Sequence, residues 1–165
     1  MFAPKSEWVP PETLPDLTNE KEIAIDLETR DPDLKTRGPG WPTGNGEVVG
    51  VAVATPSMKL YVPIAHMGGG NLDRRLVMKW VKKICATDAD KIMHNAQYDW
   101  GWLKQAGVEV KGRVIDTMMT ASLIDENRYS YSLNALAYEY LGQTKSEQIL
   151  NDAARDFGVD PKAEL

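Results

Sequence analysis

The sequence is poor in the residues and apolar runs that define several classes of protein. It has one cysteine, Cys85, among 165 residues, so no disulfide can form within the chain, and this favours a reducing compartment. No apolar run approaches the ~18 residues that a transmembrane helix requires, and the N-terminus lacks the apolar core of a signal peptide. No cysteine and histidine spacing is typical of a zinc site. We therefore expect a cytoplasmic protein without a membrane segment.

Positive charge is also scarce. Nineteen Lys and Arg residues against 24 Asp and Glu residues give a net charge of −5, which argues against a protein that grips duplex nucleic acid through its surface field. A nucleic-acid enzyme is still allowed, because bound cations neutralise a carboxylate cluster and a single-strand end can be held by stacking. With 42% hydrophobic and 26% charged residues, the composition is that of a globular chain, and its length suits one domain.

The order of patterns along the chain predicts an α/β fold with a mixed sheet. Residues 1–21 contain four prolines and no clear periodicity, so we expect an extended leader or linker there. Strands come first and then alternate with helices over residues 22–158, which are predicted to form the domain, followed by a tail at 159–165. The predicted strands are 22–29, 48–54, 60–64, 91–94 and 113–115, and helices follow caps at Asn71 or Asp73, Asn95, Asp116 and Ser132, with a last helix at 146–157.

One predicted helix near the end of the chain has a recognisable apolar face. It follows Ser132 as its cap and stops at Gly142. The residues that recur at helical spacing and are expected to point inward are Leu133, Leu136, Ala137, Tyr140 and Leu141.

Two carboxylates lie one residue apart at the end of the first predicted strand. Because side chains alternate across a strand, Asp26 and Glu28 share one face while Leu27 and the isoleucines before it point to the other. Their Cα atoms would be about 7 Å apart. Like charges that close repel unless a cation lies between them, and Mg²⁺ is the usual partner. The alternative is a solvated acidic pair at a loop entry.

A second acidic motif, Asn-Ala-Gln-Tyr-Asp at residues 95–99, follows a buried-looking strand and opens a helix. In a regular helix Asp99 shares the apolar face of Trp102 and Leu103. A carboxylate there is costly unless it is paired or bound to a metal ion. The alternative is that Asp99 only favours the positive end of the helix dipole, with Asn95 as the cap.

Together, Asp-x-Glu at 26–28 and Asn-x-x-Tyr-Asp at 95–99 resemble the first and second motifs of the 3'-5' exonucleases that use four acidic residues. The resemblance is closest to the proofreading domain of family A, DNA polymerase I-like enzymes, particularly phage forms, and it continues through 114–118 and 133–142. It implies a ribonuclease-H-like three-layer fold, with a mixed sheet of about five strands, the first three antiparallel, and helices on both faces. The implied activity is removal of the 3'-terminal nucleotide of single-stranded DNA during proofreading.

The resemblance also implies a site for two Mg²⁺ or Mn²⁺ ions roughly 4 Å apart. Asp26 would bridge both ions, Glu28 would bind the ion on the side of the attacking water, and Asp99 would hold the second ion. The implied partners are a single-stranded DNA 3' end and a polymerase domain in the same longer chain.

Four further residues acquire candidate roles from the resemblance. Tyr98, Asn95 and Thr29 would lie near the last nucleotide of the substrate, although Tyr98 beside an apolar helix face is equally suited to the core. Asp116 is expected to cap the helix that follows it. The alternative is that Asp116 contacts the residues that bind the metal ions and holds them in position.

The third motif of this family branch, Tyr-x-x-x-Asp, does not occur in the sequence, because none of the six tyrosines has an aspartate four residues later. Motif order would place that segment beyond residue 165. We therefore expect weak or absent nuclease activity for this chain alone and activity for a longer one. Two other readings stay open, namely a non-catalytic nucleic-acid-binding module of a polymerase and an RNA-processing 3'-5' exonuclease of the same superfamily.

A long segment rich in proline and glycine, residues 30–46, leaves directly from the acidic pair. Loops of this length inside a compact domain are often functional. Its Trp41 is expected to pack on the domain itself, and the alternative is a lid or a platform on which a base stacks.

Overall fold

The computed structural model describes residues 9–67 and 70–143. The predicted helix at 146–157, the predicted tail and the first eight residues lie outside this part of the chain. The elements follow one another as β1 (Glu22–Arg30), α1 (Leu34–Arg37), β2 (Glu47–Thr55), β3 (Met58–Pro63), α2 (Arg74–Cys85), β4 (Asp90–Met93), α3 (Ala96–Gln105), β5 (Val114–Asp116), α4 (Thr117–Ile124) and α5 (Leu133–Leu141).

The five strands form one mixed sheet in the order β3-β2-β1-β4-β5. β1, β2 and β3 pair antiparallel, whereas β4 pairs parallel to β1 and β5 pairs parallel to β4. The prediction of an α/β fold with about five strands, the first three antiparallel, is confirmed. The one-turn helix α1, inside the long segment after β1, was not predicted.

The alternation predicted for β1 is confirmed by the burial of its side chains. Ile23, Ile25 and Leu27 are buried, whereas Asp26 and Glu28 on the other face are exposed. The buried side belongs to a single core that includes residues of β2, β3, α2 and α3. The strand therefore presents a hydrophobic face to the protein and an acidic face to the solvent.

Helix α2 covers part of this core and begins as expected. Asp73 is its N-cap, and its side chain accepts hydrogen bonds from the backbone N–H groups of Arg75 and Leu76. The segment at 9–21 contains no helix or strand but packs beside α2, because Trp80 Nε1 donates to the carbonyl oxygen of Pro15 at 2.6 Å. Residues 9–21 are thus attached to the domain along this helix.

Helix α5 has the predicted ends but not the predicted buried face. Ser132 caps it, and Gly142 ends it with a φ of 66°. Of the residues expected to point inward, Leu136 is buried, whereas Leu133, Tyr140 and Leu141 are exposed. The prediction was wrong for these three residues because helical spacing defines a shared face, but burial depends on a neighbouring element, and the described residues cover only Leu136.

The strands β1 and β4 separate halfway along β1, and this separation creates the site. β4 pairs with β1 only over residues 22–24, and the chain then turns at Asn95 into α3. Asn95 has a φ of 60° and is the one non-glycine residue with positive φ in the described ranges. Asparagine tolerates this left-handed conformation better than most residues, so the sharp turn places the start of α3 beside the second half of β1.

Candidate active site

Asp26 and Glu28 lie beside small residues of the neighbouring strand. Their neighbours on β2 are Ala52, which pairs with Asp26, and Gly50, which pairs with Glu28. Both neighbours are small residues, and the ring of Tyr61 occupies the space above Gly50. The pairing register shifts between Glu28 and Thr29, and such a bulge bends the strand and re-aims the side chains near it. The acidic pair is therefore accessible at the point where the regular sheet ends.

Asp99 reaches the same place from helix α3. Its side chain is 3% exposed, and its Oδ1 accepts a hydrogen bond from the backbone N–H of Leu27 at 3.2 Å. Leu27 lies between the two exposed carboxylates, at a point where β4 no longer pairs with β1. The three acidic side chains named from the sequence are thus brought together by the fold.

The electrostatics of Asp99 reflect this convergence. Burial raises the pKa of the Asp99 carboxyl to about 7, and the negative charge of Asp26 adds to the increase, followed by smaller effects of Glu28 and Asp116, while the Leu27 amide opposes it. A negative charge on Asp99 is therefore costly unless a cation is near. The neighbouring carboxylates make Asp99 harder to ionise, and a bound divalent ion relieves this kind of repulsion.

The donor chemistry fits Mg²⁺ or Mn²⁺, since hard divalent ions prefer carboxylate oxygens. Over the described ranges, however, no group of three or more His, Cys, Asp or Glu side chains is already arranged around a possible ion position. Asp26 and Glu28 are exposed side chains whose rotatable bonds allow their carboxylates to move toward Asp99.

The candidate substrate residues Tyr98 and Thr29 contact each other. Their hydroxyl oxygens are 2.7 Å apart, and the Tyr98 hydroxyl also donates to Oδ2 of Asp31 at 3.1 Å. The Tyr98 ring is half-buried and meets Trp102 edge to face with centroids 6.4 Å apart. Tyr98 therefore belongs partly to the core, with its hydroxyl held at the end of β1.

Asn95 lies at the start of α3 but does not cap it. Its side chain makes no capping hydrogen bond, so the interpretation of Asn95 as a side-chain cap was wrong. Instead, the N–H groups of Asn95 itself and of Ala96 donate to the carboxylate of Asp116.

Asp116 organises the beginnings of two helices. As predicted, it caps α4, where Oδ1 accepts from the N–H groups of Met118 and Met119 at 2.9 and 3.3 Å. In addition, its two oxygens accept from the N–H groups of Asn95 and Ala96 at 3.1 and 2.8 Å. One carboxylate thus connects the end of β5 to the helix that carries Tyr98 and Asp99.

The long loop after β1 is packed against α3 in a way that the sequence did not reveal. The N–H of Gly40 donates to Asp31 Oδ2 at 3.0 Å, the same oxygen that binds Tyr98. Trp41 lies over Gly101, where an added Cβ would be 2.3 Å from the indole ring. This confirms that Trp41 packs on its own domain. Asp31 was missed, because an aspartate after a strand gives no signal of the tyrosine it will bind.

The sheet order, with paired carboxylates on its central strand and a third carboxylate at a helix entrance, is that of ribonuclease-H-like nucleases with several acidic residues. The chain belongs to the 3'-5' exonuclease family of DNA polymerase A, which matches residues 7–156. The resemblance seen in the sequence motifs is therefore confirmed.

Known relatives agree with this assignment. A DNA-directed DNA polymerase of Pseudomonas phage M6 is 37% identical over 168 residues, which cover 97% of this chain and 25% of that polymerase. DNA polymerase I of Synechocystis sp. is 28% identical over 131 residues, covering 68% of this chain and 13% of the relative. This chain thus spans about a quarter or less of the length of these polymerases.

The fold is also found in solved structures of nucleases. Brucella melitensis NrnC with bound Mg²⁺ superposes with a TM-score of 0.60 at 17% identity, covering 92% of this chain and 83% of NrnC. At such an identity the likeness concerns the fold alone. Among the described residues, no helix is both long and apolar enough to cross a membrane.

Proposed function

We propose that this chain is the editing module of a larger DNA polymerase and hydrolyses the last phosphodiester bond of a single-stranded DNA 3' end with the help of Mg²⁺ or Mn²⁺. The observation that carries this proposal is the hydrogen bond from Leu27 to Asp99, because it holds the third carboxylate against the strand segment that carries the other two. The family match and the polymerase relatives support DNA as the substrate.

In the proposed site, Asp26, Glu28 and Asp99 hold the divalent ions. When bound, such ions supply a water with a lowered pKa and stabilise the leaving oxygen. The residues of this chain do the positioning. Asp99 is fixed by the Leu27 amide, whereas Asp26 and Glu28 would approach an ion from the exposed face of β1.

The substrate end is proposed to lie beside Asn95, Tyr98 and Thr29. The Tyr98 ring offers an edge and part of a face for a base, and its hydroxyl is already engaged by Thr29 and Asp31. We expect Tyr98 to contact the nucleotide through its ring rather than through its hydroxyl. Asp116 would act through the amides of α3 and not by binding an ion.

Two expectations from the sequence stay predictions. Since Tyr-x-x-x-Asp does not occur in these 165 residues, weak or absent hydrolysis by this chain alone is still expected, and a non-catalytic nucleic-acid-binding role is the second candidate. That candidate rests on the absence of this third motif from the 165 residues. The cytoplasmic location also stays a prediction. An RNA-processing role is less supported, because the relatives reported above are DNA polymerases.

Mn²⁺ binding and DNA hydrolysis, measured on the same preparations, test the proposal. Asp26→Asn keeps the shape of the side chain and removes its charge, so we expect Mn²⁺ affinity to fall at least about tenfold, as for the loss of a carboxylate ligand. The matched control is Asp88→Asn, an exposed aspartate away from the site, which should bind Mn²⁺ like the parent chain.

DNA hydrolysis, the second measurement, distinguishes the exonuclease from the non-catalytic nucleic-acid-binding module. A single-stranded DNA labelled at its 5' end should shorten from the 3' end with release of mononucleotides, slowly with this chain and faster with a longer chain that also carries a Tyr-x-x-x-Asp segment. If the parent chain binds no Mn²⁺, or if Asp26→Asn binds it equally well, the metal site is refuted. Mn²⁺ binding without hydrolysis by the longer chain would favour the non-catalytic module.

A further inference from the structure

Tyr61 stands in the same row of the sheet as Asp26. Asp26 pairs with Ala52 of β2, and Ala52 pairs with Tyr61 of β3. Side chains of directly paired residues point to the same face, so Tyr61 shares the acidic face of the sheet. With strands about 4.8 Å apart, its Cα is about 10 Å from that of Asp26. Both residues also line one cavity of about 520 Å³.

The Tyr61 ring bridges most of this distance by lying across Gly50. A Cβ added to Gly50 would be 2.0 Å from the Tyr61 hydroxyl oxygen and 2.5 Å from Cζ. The hydroxyl therefore lies directly above the backbone of Gly50, which is the residue paired with Glu28 on β1. Only glycine leaves room for the ring in this place, and the hydroxyl ends one strand away from Glu28.

The hydroxyl of Tyr61 is also held by a histidine that follows β3. It forms a hydrogen bond with Nε2 of His66, and the two rings meet edge to face with centroids 5.8 Å apart. The backbone of His66 is clamped by Asn71, whose Oδ1 accepts from the His66 N–H and whose Nδ2 donates to the His66 carbonyl, both at 2.7 Å. The position of the Tyr61 side chain is thus fixed by its own strand, by the contact with Gly50 below the ring and by the hydrogen bond to His66 beside it.

The hydroxyl keeps its proton in this environment. Burial raises the pKa of Tyr61 to about 12, and the negative charges of Glu28 and Asp26 contribute to the increase. A protonated phenol can donate one hydrogen bond, and a carboxylate can accept it. The imidazole of His66 can in turn donate or accept, depending on which nitrogen carries its proton.

We propose that Tyr61 is a positioning residue for Glu28: its hydroxyl donates a hydrogen bond to the Glu28 carboxylate and accepts one from Nε2–H of His66. The inference deepens the proposed function, on which it rests, because Glu28 matters only as a ligand. An exposed glutamate has several rotamers, and ordering it costs free energy. A hydrogen bond from Tyr61 would hold one carboxylate oxygen, so that the other is directed toward Asp99 and the ion. Groups that orient a ligand in this way commonly change metal affinity by about ten- to a hundredfold.

The tautomer of His66 tests the hydrogen-bond order without any metal. The chain has two histidines, so their ring nitrogens can be resolved by ¹⁵N NMR and assigned with His94→Gln. The proposal requires the Nε2–H form of His66 at neutral pH, with a shift of its Nε2 signal in Tyr61→Phe. The Nδ1–H form would mean that Tyr61 donates to His66 rather than to Glu28, and it would overturn the proposal.

Mn²⁺ affinity tests the consequence for the site. Tyr61→Phe should weaken Mn²⁺ binding about tenfold, and Gly50→Ala, which displaces the ring, should do the same. The double variant Tyr61→Phe/Glu28→Gln should bind no more weakly than Glu28→Gln alone, because the tyrosine acts through the glutamate. Tyr129→Phe is the matched control, since Tyr129 is fully exposed, and it should bind like the parent chain.

The outcomes separate this inference from the proposed function. A parent chain that binds no Mn²⁺ refutes the metal site, while the tautomer of His66 still decides the hydrogen-bond order. A parent chain that binds Mn²⁺, with Tyr61→Phe binding equally well or with additive losses in the double variant, refutes the role of Tyr61 alone. Thermal unfolding of each variant establishes that the comparison is made between folded proteins.

Discussion

Asp99 accepts a hydrogen bond from the backbone N–H of Leu27 at 3.2 Å, across 72 residues of sequence. The bond exists because β4 stops pairing with β1 before Leu27, which leaves an N–H on the strand edge without a sheet partner. A buried N–H needs an acceptor, and the start of α3 supplies a carboxylate. The same hydrogen bond therefore satisfies the Leu27 N–H and brings the third acidic residue to Asp26 and Glu28.

The first prediction concerns pH. Since the pKa of folded Asp99 is about 7 and that of an unfolded aspartate is about 3.9, the folded chain holds an extra proton between these values. The stabilisation from this proton is complete below about pH 4 and is lost as the pH rises through about 7, on the order of 4 kcal/mol in total. Urea unfolding of the metal-free chain should show this decrease.

Asp99→Asn isolates that contribution, because the amide oxygen can still accept from Leu27 but does not titrate. The variant should lose less stability than the parent chain between pH 4 and 7, whereas Asp88→Asn should retain the parent slope. Saturating Mn²⁺ should also flatten the slope of the parent chain, since it favours ionised Asp99. An identical pH profile for the parent chain and Asp99→Asn would contradict the raised pKa.

The second prediction concerns Asp116, which accepts from four backbone amides at the starts of α3 and α4. Asp116→Ala should cost about 2 kcal/mol or more, because a charged cap is lost and four backbone N–H groups, two of them part-buried, lose their acceptor. It should also weaken Mn²⁺ binding through the displacement of Asp99 on α3. Asp73→Ala is the control, since Asp73 caps α2 alone, and it should lower stability with no change in Mn²⁺ affinity.

The third prediction concerns Lys91, which is fully buried on β4. Its Nζ donates to the carbonyl oxygens of Thr87, Ala89 and Lys111 at 2.7 to 2.9 Å. Lys91→Met keeps the volume but leaves these carbonyl groups without their donor, so we expect a loss of about 3 kcal/mol in the free energy of unfolding. Chemical denaturation measures this loss of stability. Exposed Lys79→Met should change stability by less than about 0.5 kcal/mol, and equal effects of the two substitutions would refute the interpretation.

The fourth prediction concerns the contact between Gly101 and Trp41. Replacing glycine by alanine inside a helix usually stabilises by about 1 kcal/mol. Here the new Cβ would lie 2.3 Å from the indole ring, so Gly101→Ala should instead destabilise, by about 2 kcal/mol as expected for overpacking. Limited proteolysis should then cut the loop at 31–46 faster than in the parent chain.

The double variant Gly101→Ala/Trp41→Ala provides the check. Once the ring is gone, adding Gly101→Ala to Trp41→Ala should be neutral or stabilising, because only the helix propensity is left. If the second substitution costs as much in this background as in the parent chain, the steric explanation is wrong.

Much of the fold followed from local patterns. The alternation along β1 predicted which side chains are buried. Asp116 and Ser132 were recognised as helix caps from their places before apolar runs, and Asp73 was one of two candidates for the cap of α2. These features depend on the 2-residue period of a strand and on the unpaired amides of a helix start, both of which are visible in a few consecutive letters. The long amphipathic face expected for α5 was not realised within the described residues, because burial needs a partner that local spacing does not supply.

The amino-acid sequence by itself determined that three carboxylates lie at a strand end and a helix start. Residue type and the periodicity of a strand or helix are local properties, so both can be read from the sequence. Only the tertiary structure decided that Asp99 meets Leu27, that Tyr98 is held by Asp31, and that Tyr61 lies over Gly50. These pairs are 72, 67 and 11 residues apart along the chain. They depend on strand register, on the point where two strands separate and on close approach to a glycine, which are consequences of how the whole sheet packs.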